Sequence, residues 1–88
     1  MPVLSMFYGI IIRMQSEKGA KHHLSHIHVI CGEDESVFSL NGELLEGNIP
    51  NSKKKLVEAW IEIHKDELSA DWKLLSEGEQ CFKIEPLK

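Results

Sequence analysis

Four of the five histidines of this 88-residue chain fall within residues 21–31, Lys-His-His-Leu-Ser-His-Ile-His-Val-Ile-Cys, and they are the side chains best suited to chemistry. Imidazole gives or takes a proton near neutral pH, and its neutral form ligates metals. The β-branched residues from Ile27 onward predict a strand. Because strand side chains alternate, His26, His28 and Ile30 share one face while Ile27, Val29 and Cys31 share the other. The apolar set belongs against the core, which leaves two neighbouring imidazoles on the opposite face. A solvated outer face carrying histidine is the simpler alternative and needs no function.

Two kinds of chemistry fit these residues. His26 and His28 are spaced for acid and base steps of RNA cleavage, one taking the 2′-hydroxyl proton and the other protonating the leaving oxygen. Lys53, Lys54 and Lys55 would then hold phosphate. They stand at the start of a helical segment, where free amides attract anions and the dipole disfavours cations. A solubilising lysine corner, with Lys54 paired to Glu58 one turn on, explains the same residues without function. Alternatively, His22, His23, His26, His28 and Cys31 would bind zinc, although their spacing matches no finger or ribbon and a second ligand cluster is missing. No phosphate-binding glycine loop, nucleophile elbow or catalytic triad pattern is present.

Length and composition limit the possibilities further. The chain is long enough for one domain over residues 1–88 with a single core. Its net charge of −4 and pI near 5.7 exclude the broad basic field of a general nucleic-acid binder, so any anion site must be local. Cys31 and Cys81, with no secretory signal, suggest free thiols in a reducing cytoplasm. The apolar run over residues 6–12 is too short to cross a bilayer, so a soluble cytoplasmic protein is expected. No cofactor is expected.

The elements that position the histidines can be taken in order. Residues 6–14 are apolar on both faces and read as one strand inside a sheet, with Arg13 reaching water near its end. Residues 15–25 lack an apolar period and read as a loop. A turn at Glu33-Asp34 would set Val29 opposite Phe38, Ile27 opposite Leu40 and His28 opposite Ser39. Asn41-Gly42 predicts a type I′ turn, followed by a fourth strand over 43–46 in which Leu45 faces Phe38. Asn51 or Ser52 would cap a helix whose stripe of Leu56, Val57, Trp60, Ile61, His64, Leu68, Trp72 and Leu75 runs from about 52 to 77. This is one long helix, or two with a bend near Asp66. On that stripe His64 reads as a hydrogen-bonded core histidine. Residues 81–86 alternate and predict a short final strand stopped by Pro86.

Phe7-Tyr8-Gly9-Ile10-Ile11-Ile12-Arg13-Met14, His26-Ile27-His28-Val29, residues 42–50 (Gly-Glu-Leu-Leu-Glu-Gly-Asn-Ile-Pro) and Trp60 with His64, Leu68 and Trp72 together resemble the bacterial domain-of-unknown-function family 4160. The resemblance runs from the first strand through Ile84-Glu85-Pro86. This chain has Leu24-Ser25 where that family usually carries two prolines, so its entry into the histidine strand is less rigid. The resemblance implies a gene neighbour of domain-of-unknown-function family 2442 and a two-protein unit of the toxin–antitoxin kind. It also favours a site at His26 and His28 over an ordinary outer face.

The expected fold is therefore α+β, an antiparallel meander of about four strands with a long helix across one face and a short C-terminal strand. The expected function is a non-enzymatic interaction module in a regulatory or toxin–antitoxin pair, with the small protein encoded by the neighbouring gene as partner. The alternatives are a histidine-dependent ribonuclease using His26 and His28, with RNA as substrate, and a metal-binding domain. A homo-oligomer is compatible with each.

Overall fold

The computed structural model describes residues 3–15 and 25–87. Five antiparallel strands form one sheet in chain order: β1 (Val3–Phe7), β2 (Ile10–Arg13), β3 (His26–Cys31), β4 (Asp34–Ser39) and β5 (Leu44–Gly47). Two helices follow, α1 (Asn51–Ile63) and α2 (Lys65–Ser76), giving an α+β fold. The sheet is a plain meander in which each strand pairs with its sequence neighbour.

The expected single strand over 6–14 is a hairpin. Its chain reverses at Tyr8-Gly9, whose φ angles of +48° and +78° place both central residues in the left-handed region that a two-residue hairpin turn requires. Phe7 then pairs with Ile10, and Met6 with Ile11. Apolar residues on both faces conceal this turn in the sequence, and a tyrosine at positive φ is an uncommon choice.

Both later hairpins also differ from expectation. The β3–β4 turn centres on Gly32-Glu33, with Gly32 at φ +61°, so Cys31 pairs with Asp34. Ile27 therefore lies opposite Phe38, Val29 opposite Ser36 and His28 opposite Val37. The shift is two residues, which preserves the facial alternation. After β4 the loop has three residues, Leu40-Asn41-Gly42, closed by Gly42 N–H donating to the Ser39 carbonyl and Ser39 N–H donating to the Glu43 carbonyl. Gly42 alone of the Asn41-Gly42 pair has positive φ, as in a type I turn closed by a bulge. The register slips between Val37 and Phe38, so Phe38 meets Leu44 instead of Leu45.

α1, with Leu68 of α2, packs on one face of the sheet. Phe7, Ile10, Ile12, Ile27, Val29 and Phe38 join Val57, Trp60, Ile61 and Leu68 in a single buried cluster. The Phe7 and Trp60 rings meet at 5.6 Å. Pro50, not Asn51 or Ser52, precedes the first helical turn, and its carbonyl accepts from the amides of Lys53 and Lys54, with no side-chain cap among the described residues. The helix breaks at His64, earlier than Asp66, where φ −109° and ψ 24° leave the helical region. His64 Nδ1 lies 2.6 Å from Glu67 Oε1, so this half-buried histidine is hydrogen-bonded, to an exposed carboxylate and not within the core.

Residues 81–87 form no strand. One ladder-like bond joins Ile84 N–H to the Leu4 carbonyl, while Phe82 N–H donates to Asp71 Oδ1 and the Glu85 carbonyl accepts from Trp60 Nε1. The backbone groups that would extend a sixth strand are diverted to side chains of the two helices.

Candidate functional site

The outer face of the sheet is laid out by strand register. One cross-strand row is Met6–Ile11–Ile30–Glu35 from β1 to β4; the next is Arg13–His28–Val37–Glu46 from β2 to β5. Ile27 and Val29 point the other way and are fully buried in the core. The alternation that separates the histidines from the apolar residues of β3 is thus present.

The two imidazoles are not equivalent. His26 is 1% exposed, whereas the His28 side chain is 14% exposed. Their rings meet edge to face at 5.3 Å. On its other side His26 meets the indole of Trp72, 5.2 Å between centroids. Trp72 comes from α2, which reaches the end of the sheet where β3 begins. Solvent therefore reaches His28 and not His26. His28 Nδ1 lies 3.9 Å from Glu35 Oε1, beyond hydrogen-bond distance.

The lysines lie elsewhere. Lys53 Nζ donates to the Tyr8 carbonyl at 2.6 Å, pinning the β1–β2 turn to the start of α1. That turn is at the far end of β2 from Arg13, the residue opposite His28, a separation of about 10 Å at the strand rise. In addition α1 packs on the core face, opposite to the face of His28. The fold therefore does not bring Lys53, Lys54 and Lys55 together with His26 and His28.

For the metal reading, His22 and His23 lie outside the described residues. Cys31 packs against the core cluster and points away from His28. Among the described residues, no group of three or more His, Cys, Asp or Glu is placed to hold a metal ion.

Asp71 is a buried carboxylate that sequence reasoning misses. It is 3% exposed, its Oδ1 accepts from Phe82 N–H, and Oδ2 is buried with no hydrogen-bond partner among the described residues. Burial pushes this carboxyl above the ordinary carboxylate range; the Phe82 amide opposes that shift and the Glu67 charge adds to it. Burial likewise raises the Cys81 thiol, helped by the Asp71 charge. A signal for Asp71 exists, because it falls three residues after Leu68 and beside Trp72, on the apolar stripe of the helix. Arg13 opposite His28 and Glu35 beside it depend on strand register, and the observed β3–β4 register lies two residues from the expected one.

Among the described residues no helix is long and apolar enough to cross a membrane. No curated protein and no solved structure matches the chain. The family model described as a domain of unknown function (DUF4160) matches residues 9–73, from the β1–β2 turn to α2. That span holds β2 to β5, all of α1 and the contact of His26 with Trp72, and the chain belongs to the DUF4160 family.

Proposed function

We propose that this protein is a non-enzymatic interaction module, one half of a two-protein regulatory or toxin–antitoxin pair. The observation that carries the reading is the outer sheet face. Met6 is 62% exposed there, and Ile11 and Ile30 beside it are half-buried and outside the core cluster. Apolar side chains in a cross-strand row outside the core cluster of the described residues suit a partner surface. The division of the histidines supports the same reading. A general acid and base must both reach the substrate, and His26 lies behind Trp72. As a partner, the small protein encoded by the neighbouring gene suits the family's expected pairing.

Affinity capture of the tagged full chain from its native cell, with protein and RNA both identified, tests this function. Recovery of the neighbouring gene's product in stoichiometric amount is the expected result. RNA recovered without that protein would contradict the reading and return weight to the ribonuclease.

A further inference from the structure

Strand β1 is an edge of the sheet, and its free side opens into a cleft of about 420 Å³ lined by Val3, Leu4, Ser5 and Met6, by Glu67 of α2 and by residues 83–86. Phe7 and Ile10 flank the two-residue turn as the closing pair of the hairpin, which exchanges both of its backbone bonds. Alternation then turns the N–H and C=O of Met6 away from β2. The Leu4 carbonyl points the same way, because it accepts from Ile84 N–H. That bond is the only backbone pairing of the β1 edge among the described residues, so both Met6 groups stand open beside it. Ser5 is 6% exposed in the cleft wall, and its Oγ has no hydrogen-bond partner among the described residues.

We infer that an extended, basic segment of the partner protein pairs with β1 in this cleft. The inference rests on the interaction-module reading and gives the module a second contact, at the sheet edge. Backbone groups at an edge bind an added strand whatever its side chains, and the side chains around them select among strands. Val3 to Met6 covers about 10 Å, enough for about four residues of a paired segment. The cleft volume falls within the range of about 300–1,000 Å³ typical of ligand sites. Its lining sets two carboxylates, of Glu67 and Glu85, against one ammonium, of Lys83. All three residues are exposed, and the Glu67 bond to His64 uses Oε1. An incoming lysine or arginine complements that balance, whereas an acidic residue meets like charge. A hydroxyl or amide on the same segment supplies the bond that Ser5 Oγ lacks.

The test uses the full chain, isotopically labelled for amide NMR, with short capped peptides as probes. One alternates Val and Lys around a central Thr, one carries Glu for Lys, and one is the Val/Lys peptide with every backbone nitrogen methylated. The Val/Lys peptide is expected to shift the Ser5 and Met6 amide signals, to slow exchange of the Met6 amide, and to bind about tenfold more tightly than the Val/Glu peptide. Methylation is expected to abolish binding, because it removes the donors that pair with β1. Met6→Pro, which withdraws the outward N–H at an edge position where proline is tolerated, is expected to do the same. Were that variant to unfold, the methylated peptide carries the same comparison. Ser5→Ala is expected to weaken binding about threefold, and Glu67→Lys with Glu85→Lys to reverse the charge preference. Absence of binding, equal affinity for the Lys and Glu peptides, indifference to methylation, or shifts at β5 with none at β1 would overturn the inference. A second arm uses the co-expressed neighbouring protein, whose complex should weaken about tenfold with Glu67→Lys and Glu85→Lys together. A complex unchanged by that pair would overturn this cleft and leave the interaction module standing. Failure of the wild-type proteins to associate would instead remove the proposed function, with the cleft then decided by the peptides.

Discussion

The rings of His26 and Trp72 lie 5.2 Å apart at a tilt of 56°, and this contact gives the two histidines of β3 different roles. His26 is a buried packing residue that ties α2 to the sheet, while His28 belongs to the accessible face. Truncating a buried ring leaves a cavity, so His26→Ala should cost about 2–4 kcal/mol. His28→Ala, at a side chain that keeps 14% of its surface exposed, should cost less than His26→Ala. Urea unfolding followed by tryptophan fluorescence separates the two, and equal losses would contradict the assignment.

Asp71 should make stability depend on pH in a recognisable direction. Its folded-state pKa lies above the ordinary value of 3.8, so the folded chain holds this proton more tightly than the unfolded chain. The contribution favouring the fold is therefore full below 3.8, is lost as pH rises from there through the raised value, and stays lost above it. Asp71→Asn keeps an acceptor for Phe82 N–H and removes the titration. Its stability relative to wild type should rise over that pH window, measured by urea unfolding at a series of pH values. A constant difference would show that Asp71 does not titrate differently in the two states.

Gly47 closes β5 at φ +83°, where a Cβ would overlap the Glu35 carbonyl oxygen and lie 2.9 Å from Ser36 Cα. Backbone atoms inside a sheet cannot step aside as a side chain can. Gly47→Ala should therefore destabilise by about 2–3 kcal/mol, more than the roughly 1 kcal/mol cost of the left-handed backbone alone. Gly78→Ala supplies the comparison: φ is +81° and, among the described residues, no atom lies within 4 Å of the place a Cβ would take. Similar losses in the two variants would count against the steric account.

Lys53 contributes a local strap. Removing its hydrogen bond to the Tyr8 carbonyl by Lys53→Met should change global stability by less than about 1 kcal/mol, because the pair is exposed. Amide exchange at Tyr8 and Gly9 should nevertheless accelerate, since local opening of that turn becomes easier. Unchanged exchange would mean that the contact does not hold the turn.

The sequence makes some of these relationships visible and conceals others. Alternation places Ile27 and Val29 in the core and His26 and His28 on the reverse face, since a period of two is a local property. The burial of His26 is hidden because it comes from Trp72, far along the chain in another element. The Tyr8-Gly9 turn is masked by apolar residues on both sides and by the unusual positive φ of a tyrosine. The break at His64 has no glycine or proline to announce it. The fate of residues 81–87 depends on Asp71 and Trp60 as competing hydrogen-bond partners, which no alternation pattern reveals.

Size-exclusion chromatography with light scattering, on the chain co-expressed with its neighbouring gene's product, addresses the interaction module most directly. The account predicts one peak at micromolar concentration with the combined mass of both proteins. Two peaks at the separate masses would contradict it.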